Sequence, residues 1–198
     1  ILLTDEGKPQ LSGEQFGVYI GNMNSKFQLG WSNTFTYKDF SLYFLINGKI
    51  GGKVISFTEA ELDKLGVSQR TADARLAAEN NNDLIWNGKP AMYMPDGNLA
   101  PINAYYQGIG GDVNATQYVY DATNFRLREL SLGYTFRNLL GASKNVSLSL
   151  IARNLFFIYK DAPVDPDISL STQNGLGAFE IFNMPSARSF GISLKANF

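Results

Sequence analysis

Cysteine and histidine are both missing from this sequence. Without cysteine there is no disulfide scaffold, zinc–thiolate centre or thiol nucleophile, and without histidine every His-dependent triad is excluded. Neither sign of charge is in excess: 17 Lys and Arg stand against 18 Asp and Glu, so no bulk basic field draws in nucleic acid or anionic lipid. No apolar run approaches the roughly 18 residues of a transmembrane helix. The opening Ile1-Leu2-Leu3-Thr4-Asp5-Glu6 lacks the basic start and apolar core of a signal peptide. Gly108-Ile109-Gly110-Gly111 has no strand–helix context for a nucleotide loop, and no Walker motif appears. Glu59, Glu61 and the other scattered carboxylates show no acid–base spacing, so neither an enzyme nor a cofactor is expected.

What is present is an apolar content of 44%, too high for a disordered chain, arranged with a period of two. In the last ten residues Phe190, Ile192, Leu194, Ala196 and Phe198 share one strand face, and Gly191, Ser193, Lys195 and Asn197 the other. Phe27, Leu29, Trp31, Phe35 and Tyr37 repeat the pattern, with Asn33 the exception. After a tight turn at Lys38-Asp39, Phe40, Leu42, Phe44 and Ile46 return it. Leu130, Leu132, Tyr134 and Phe136 form another such face, as do Val146, Leu148, Leu150 and Ala152. Phe125 and Leu127 are one residue out of phase. Either a bulge lies near Arg128-Glu129 or the apolar belt begins only after Arg128.

The expected fold is therefore all-β and antiparallel, with strands at about 26–37, 39–48, 119–136, 145–157 and 188–198. Their connections run short, very long, short, long, the long ones being about 49–118 and 158–187. Strands of this length can cross a bilayer, with apolar residues toward lipid and polar ones toward a lumen. Short periplasmic turns and long extracellular loops then place the C-terminus in the periplasm. A soluble β-sandwich offers the same alternation and stays open. Five strands cannot close a transmembrane barrel, and open edges in lipid cost several kcal/mol per unpaired group. The chain is thus expected to be the C-terminal segment of a larger barrel whose other strands lie upstream.

The first long loop carries helix signals. Thr58-Glu59-Ala60-Glu61 resembles a capping box, Gly66 stands where a helix C′ residue belongs, and Ser68 can cap a second helix to about Asn80. The pair mimics a helix-turn-helix, but Arg70 and Arg75 are offset by Asp73 and Glu79, so no nucleic-acid partner is expected. Asn87-Gly88 and Asp96-Gly97 are hairpin-turn signals.

Several stretches, in this order and spacing, resemble the C-terminal end of the SusC/RagA family of TonB-linked outer-membrane transporters of Bacteroidetes. They are Ile20–Asn24, Asn33–Leu42 with Gly51-Gly52, Gly66–Arg75, Asn124–Thr135, Ala152–Phe156 and Asp165-Pro166-Asp167. Asn47, where the family often has Asp, and Arg137, where Pro often follows the Phe, depart from it. The resemblance implies a plugged barrel of about 22 strands. It also implies a long, partly helical extracellular loop and an upstream plug and TonB-contacting segment. The implied partners are outer-membrane lipid, TonB and a SusD-like lipoprotein that captures oligosaccharides or peptides. The alternatives are a passive porin, an adhesin-type barrel, or the soluble sandwich.

Four sets of residues are candidates for function. Trp86, Tyr93, Tyr105 and Tyr106 could stack on substrate or partner. Phe190, Ile192, Leu194 and Phe198 resemble the terminal signal for membrane insertion. Asp161, Asp165 and Asp167 are weak candidates for a metal in a turn fixed by Pro163 and Pro166, and otherwise no metal is expected. Trp31, Tyr37, Tyr134 and Phe136 are expected in aromatic girdles, while Arg126 and Arg128 could face either headgroups or lumen.

Overall fold

The computed structural model describes residues 19–81, 83–94, 97–111, 115–138, 145–168, 170 and 176–197. In chain order they form β1 (Phe27–Tyr37), β2 (Phe40–Ile50), β3 (Lys53–Ser56), α1 (Phe57–Lys64), α2 (Gln69–Glu79), β4 (Ile85–Trp86), β5 (Lys89–Tyr93) and β6 (Leu99–Pro101). There follow α3 (Ile102–Gly111), a 3-10 turn (Ala115–Tyr118), β7 (Val119–Asp121), β8 (Asn124–Phe136), β9 (Asn145–Lys160), β10 (Phe179–Glu180) and β11 (Ser189–Asn197). Two compact units result. One draws on Asn22–Val54, Asp121–Ser169 and Asn183–Phe198, the other on Ile55–Tyr120 and Leu170–Phe182.

The first unit is a five-stranded sheet in the order β1-β2-β8-β9-β11, with every neighbouring pair antiparallel. Lys38, at φ 54, lets a two-residue turn join β1 to β2 and sets Tyr37 opposite Phe40. The register then carries the apolar set across the sheet on one face. Trp31 pairs Ile46, Phe35 pairs Leu42, Leu42 pairs Leu132, Leu132 pairs Leu150, and Leu150 pairs Ile192. Aromatic contacts reinforce it: Trp31 meets Phe44 edge-on at 5.1 Å, and Tyr134 meets both Phe40 and Phe136 at 4.7 Å. Arg137 reaches across to Asp39 in the neighbouring turn at 2.5 Å.

The phase slip in β8 is a bulge. Leu45 pairs Glu129 and the next residue, Ile46, pairs Leu127, so Arg128 is the extra residue. Phe125 and Leu127 thereby rejoin the face of Leu130 and Leu132. A second irregularity answers it in β9, where Asn154 takes φ 52 and its side-chain oxygen accepts from Arg128 Nη1 at 3.2 Å.

The second unit is helical. Ser56, not Thr58, caps α1 by accepting from the Glu59 N–H at 3.2 Å; the Thr58 hydroxyl donates instead to Glu180 at 2.7 Å. Ser68 caps α2 through the Thr71 N–H at 3.2 Å, and Gly66 at φ 71 follows the end of α1. Asn87 and Gly88 both have positive φ, as a β4–β5 hairpin turn requires. Asp96, of the other turn signal, lies outside the described residues.

The long connection expected over about 49–118 thus contains the short strands β3, β4, β5 and β6, and it contains α3, which the sequence pattern does not announce. The glycines of α3 disfavour a helix. Burial of Ile102, Tyr105, Tyr106 and Ile109, spaced 3, 1 and 3 apart on one face, outweighs that cost. These four pack with Ala60, Ala78, Met94, Ala100 and Tyr118 in the core. Gly110 is what allows α3 to approach α1: a Cβ there would fall 2.3 Å from the Ala60 carbonyl oxygen. Gly110→Ala is expected to lower the unfolding free energy of this unit by about 1–3 kcal/mol, measured as a shift in its denaturation midpoint.

Candidate functional site

The apolar face of the sheet is open. Phe190, Ile192 and Leu194 are 75%, 74% and 71% exposed, and Trp31, Phe35, Tyr37, Leu132 and Leu150 on the same face are exposed as well. No described helix or second sheet covers β11. Leu130, Leu132, Leu150, Phe190 and Ile192 line a shallow apolar hollow of about 640 Å³. A continuous apolar face of this extent marks contact with lipid or protein. Among the described residues both outer strands, β1 and β11, have one neighbour each, so each presents an open edge of backbone donors and acceptors. Phe198 lies outside the described residues.

The opposite face is polar and holds a charged cluster where β2 ends and β8 begins. Arg126 Nη2 donates to Asp165 Oδ2 at 2.5 Å, and Arg128 Nη2 to Asp167 Oδ2 at 2.5 Å. Lys49 Nζ lies 2.9 Å from Asp167 Oδ1, to which the Asn124 amide also donates at 3.3 Å. Ser186 donates to Asp165 Oδ2 at 2.6 Å. The Arg126 guanidinium lies 3.8 Å over the Phe157 ring. This assigns Arg126 and Arg128 to the polar face, the question the sequence left open.

The same geometry corrects the metal candidates. Asp165 and Asp167 are committed to guanidinium and ammonium groups, and Asp161 accepts from the Asp121 N–H at 3.2 Å. Carboxylates already neutralised by fixed cations have little affinity left for a hard metal ion. The sequence signal for this network was the bulge itself, which turns two arginines of one strand toward the acidic turn; the partner identities were not readable.

Burial alone pushes the Asp165 carboxyl up. The Ser186 hydroxyl, the Arg126 guanidinium and the Asp167 N–H outweigh it and hold the group below its usual value. A carboxylate depressed in the folded state contributes its full stability above its ordinary value of about 3.9. That contribution is lost as pH falls through the lower folded value. Hydrogen exchange of residues 161–168 is therefore expected to rise below about pH 4 while that of the strand centres stays slow.

The four aromatic candidates do not gather. Tyr105 and Tyr106 are core residues of α3, 6% and 7% exposed. Their burial follows from α3, which the sequence did not reveal. Tyr93 is 59% exposed at the end of β5, and Trp86 is half-buried in the β4–β5 hairpin.

The helical unit has a polar centre that the sequence reading missed. Asp63 is fully buried and receives Arg70 Nε at 2.8 Å, an ion pair with Arg70 Nη2, and the Tyr118 hydroxyl at 2.9 Å. Burial and the neighbouring Asp63 carboxylate push the Tyr118 phenol well above its usual range, so it stays a donor. Glu180, also buried, accepts from Ser56 and Thr58, both at 2.7 Å, and β10 pairs in parallel with Ile55 and Ser56.

Comparison with known proteins adds to this geometry. No protein-family model matches the chain. A TonB-dependent receptor, P3, of Formosa agariphila is 24% identical over 187 residues, which are 90% of this chain and 17% of the receptor. The RagAB peptide importer in its open-open state matches with a TM-score of 0.62 at 17% identity, over 94% of this chain and 18% of that one. Its closed-closed state matches with a TM-score of 0.57 at 18% identity, over 94% and 19%. The chain spans less than a fifth of the length of these relatives. Its antiparallel sheet has the fold of a segment of such a barrel, and a segment of this size leaves the barrel open. The SusC/RagA resemblance is thus met in sequence by a TonB-dependent receptor and in fold by the importer.

Proposed function

We propose that this chain is a wall segment of a TonB-dependent importer in the outer membrane of a Gram-negative bacterium. The observation that carries the reading is the sheet with one exposed apolar face, one polar face and two open edges. Lipid covers the apolar face, and strands of the remaining protein pair with β1 and β11, since unpaired edges are not tolerated in hydrocarbon. The Lys38-Asp39 turn and the C-terminal end of β11 lie on the periplasmic side. The helical unit belongs to the extracellular mouth, where it meets a SusD-like lipoprotein. The cargo is an oligosaccharide or a peptide, and transport proceeds without covalent chemistry on it. Energy coupling resides in a plug and a TonB-contacting segment elsewhere in the protein. Both supports are likenesses: to a protein named a TonB-dependent receptor, and to a fold found in a peptide importer.

The test is uptake by cells carrying the complete protein, with and without TonB, on candidate oligosaccharides and peptides. Uptake that disappears with TonB supports the reading. Uptake of small solutes that persists without TonB replaces it with a passive pore.

A further inference from the structure

Where β8 begins, the cluster on the polar face holds one more cation than carboxylate, while further along β8 Glu129 is paired with Arg153. Lys49, Arg126 and Arg128 supply three cations, and Asp165 and Asp167 supply two carboxylates. Lys160 is engaged elsewhere, with the carbonyl oxygens of Pro163 at 2.8 Å and Val164 at 3.4 Å.

Arg126 is the member short of partners. Its side chain is 4% exposed, and its Nε and Nη1 have no hydrogen-bond partner among the described residues. Nη1 stands 3.9 Å from Asp167, beyond hydrogen-bond reach. Phe157 covers one guanidinium face, so acceptors are called for at the edges, in the plane. Buried donors without acceptors are costly. Although Arg126 is paired with Asp165, Lys49 and Arg128 share the single carboxylate of Asp167, which leaves one positive charge in surplus. A water molecule relieves the donors only. A carboxylate relieves both, because it accepts charge-assisted hydrogen bonds and cancels the excess charge. Lys49 and Arg128, whose side chains are 36% and 28% exposed, make the cluster approachable from solvent.

We propose that Lys49, Arg126 and Arg128 form a carboxylate-binding site on the polar face of the sheet, with Asp165 and Asp167 as its built-in occupants and an acidic solute as the source of a further carboxylate. The proposal rests on the reading that this face lines the lumen of an importer, and it gives that importer a preference for anionic cargo. Lys49 and Arg128 make first contact with the solute. Arg126 is the deep donor beneath them.

The test uses the complete protein in detergent, with barrel formation verified by its heat-dependent migration on gels. Binding of tri-glutamate and of tri-glutamine is measured by calorimetry. Tri-glutamate is expected to bind at least about tenfold more tightly, the difference made by one charge-assisted contact. That preference fades as salt is raised to about 0.5 M. Lys49→Gln is expected to weaken tri-glutamate binding about tenfold, whereas Asp165→Asn, which removes a built-in occupant, tightens it. A purely structural role for the cluster moves both variants in the same direction. Equal binding of the two peptides, no binding by an intact barrel, or weakening by Asp165→Asn overturns the site and leaves the importer reading standing. Failure to form a barrel at all overturns that reading and the site with it.

Discussion

Placing an arginine at Ile192 is expected to abolish insertion of the barrel, whereas an arginine at the adjacent Ser193 is expected to be tolerated. Ile192 is 74% exposed at the centre of β11, opposite Leu150 on the apolar face, and Ser193 pairs Ser149 on the polar face. A strand flips its side chains at every residue, so one step along the chain moves the charge from one side of the wall to the other. On the lipid side, near the bilayer midplane, an arginine costs about 2–4 kcal/mol. On the lumen side the same charge stays in contact with water. The expected sign holds for Leu194→Arg as well, since Leu194 shares the face of Ile192. The measurement is the fraction of complete protein that reaches the outer membrane and migrates as a folded barrel. Equal assembly of the Ile192 and Ser193 variants would show that the apolar face does not meet lipid.

The second large effect is expected in the helical unit. Asp63→Ala is expected to unfold that unit's packing while leaving the sheet in place, because Asp63 and its partners Arg70 and Tyr118 all belong to the helical unit. Asp63 is fully buried and holds both Arg70 and Tyr118. Its loss strands the Tyr118 hydroxyl, which is itself in the core, and releases a half-exposed arginine. Removing one partner of a buried charged pair typically costs about 3–5 kcal/mol. The 38% exposure of the Arg70 side chain brings the expectation to about 3 kcal/mol or less, since water takes over part of the solvation of the freed cation. Hydrogen exchange is expected to rise throughout α1, α2 and α3 and to stay unchanged in β8 and β9. A variant with native-like protection in α1 and α3 would mean that the apolar core of Ile102, Tyr105, Tyr106 and Ile109 suffices without the ion pair. Asp63→Asn retains an acceptor for Tyr118 and is expected to cost less than Asp63→Ala.

How much of this was legible varies with the range of the interaction. The alternation in 27–37, 40–46 and 189–197 depends only on residues two apart, and the pairings Trp31–Ile46, Leu132–Leu150 and Leu148–Leu194 place those faces together. The slip at Phe125 and Leu127 was visible as a break in period, but a bulge and a shortened belt look alike until β2 supplies the register. Ser68 and Gly66 act within one helical turn and were legible for that reason. The cap of α1 was misplaced by two residues, because Thr58 is drawn away by Glu180, 122 positions along the chain.

The period-two faces and the five strands were legible in the sequence, but they suited a barrel wall and a soluble sandwich alike. Five strands are too few to close a transmembrane barrel, and the pattern alone does not say what covers their apolar faces. The tertiary structure alone decided what the polar groups do. Asp165 and Asp167 were bare carboxylates in a turn until Arg126, Arg128 and Lys49 were seen against them, and Tyr105 and Tyr106 became core residues only through α3. The physical reason is one of distance along the chain. Strand faces and helix caps are fixed by neighbours in sequence, whereas a charge or a ring takes its role from whatever the fold brings to it.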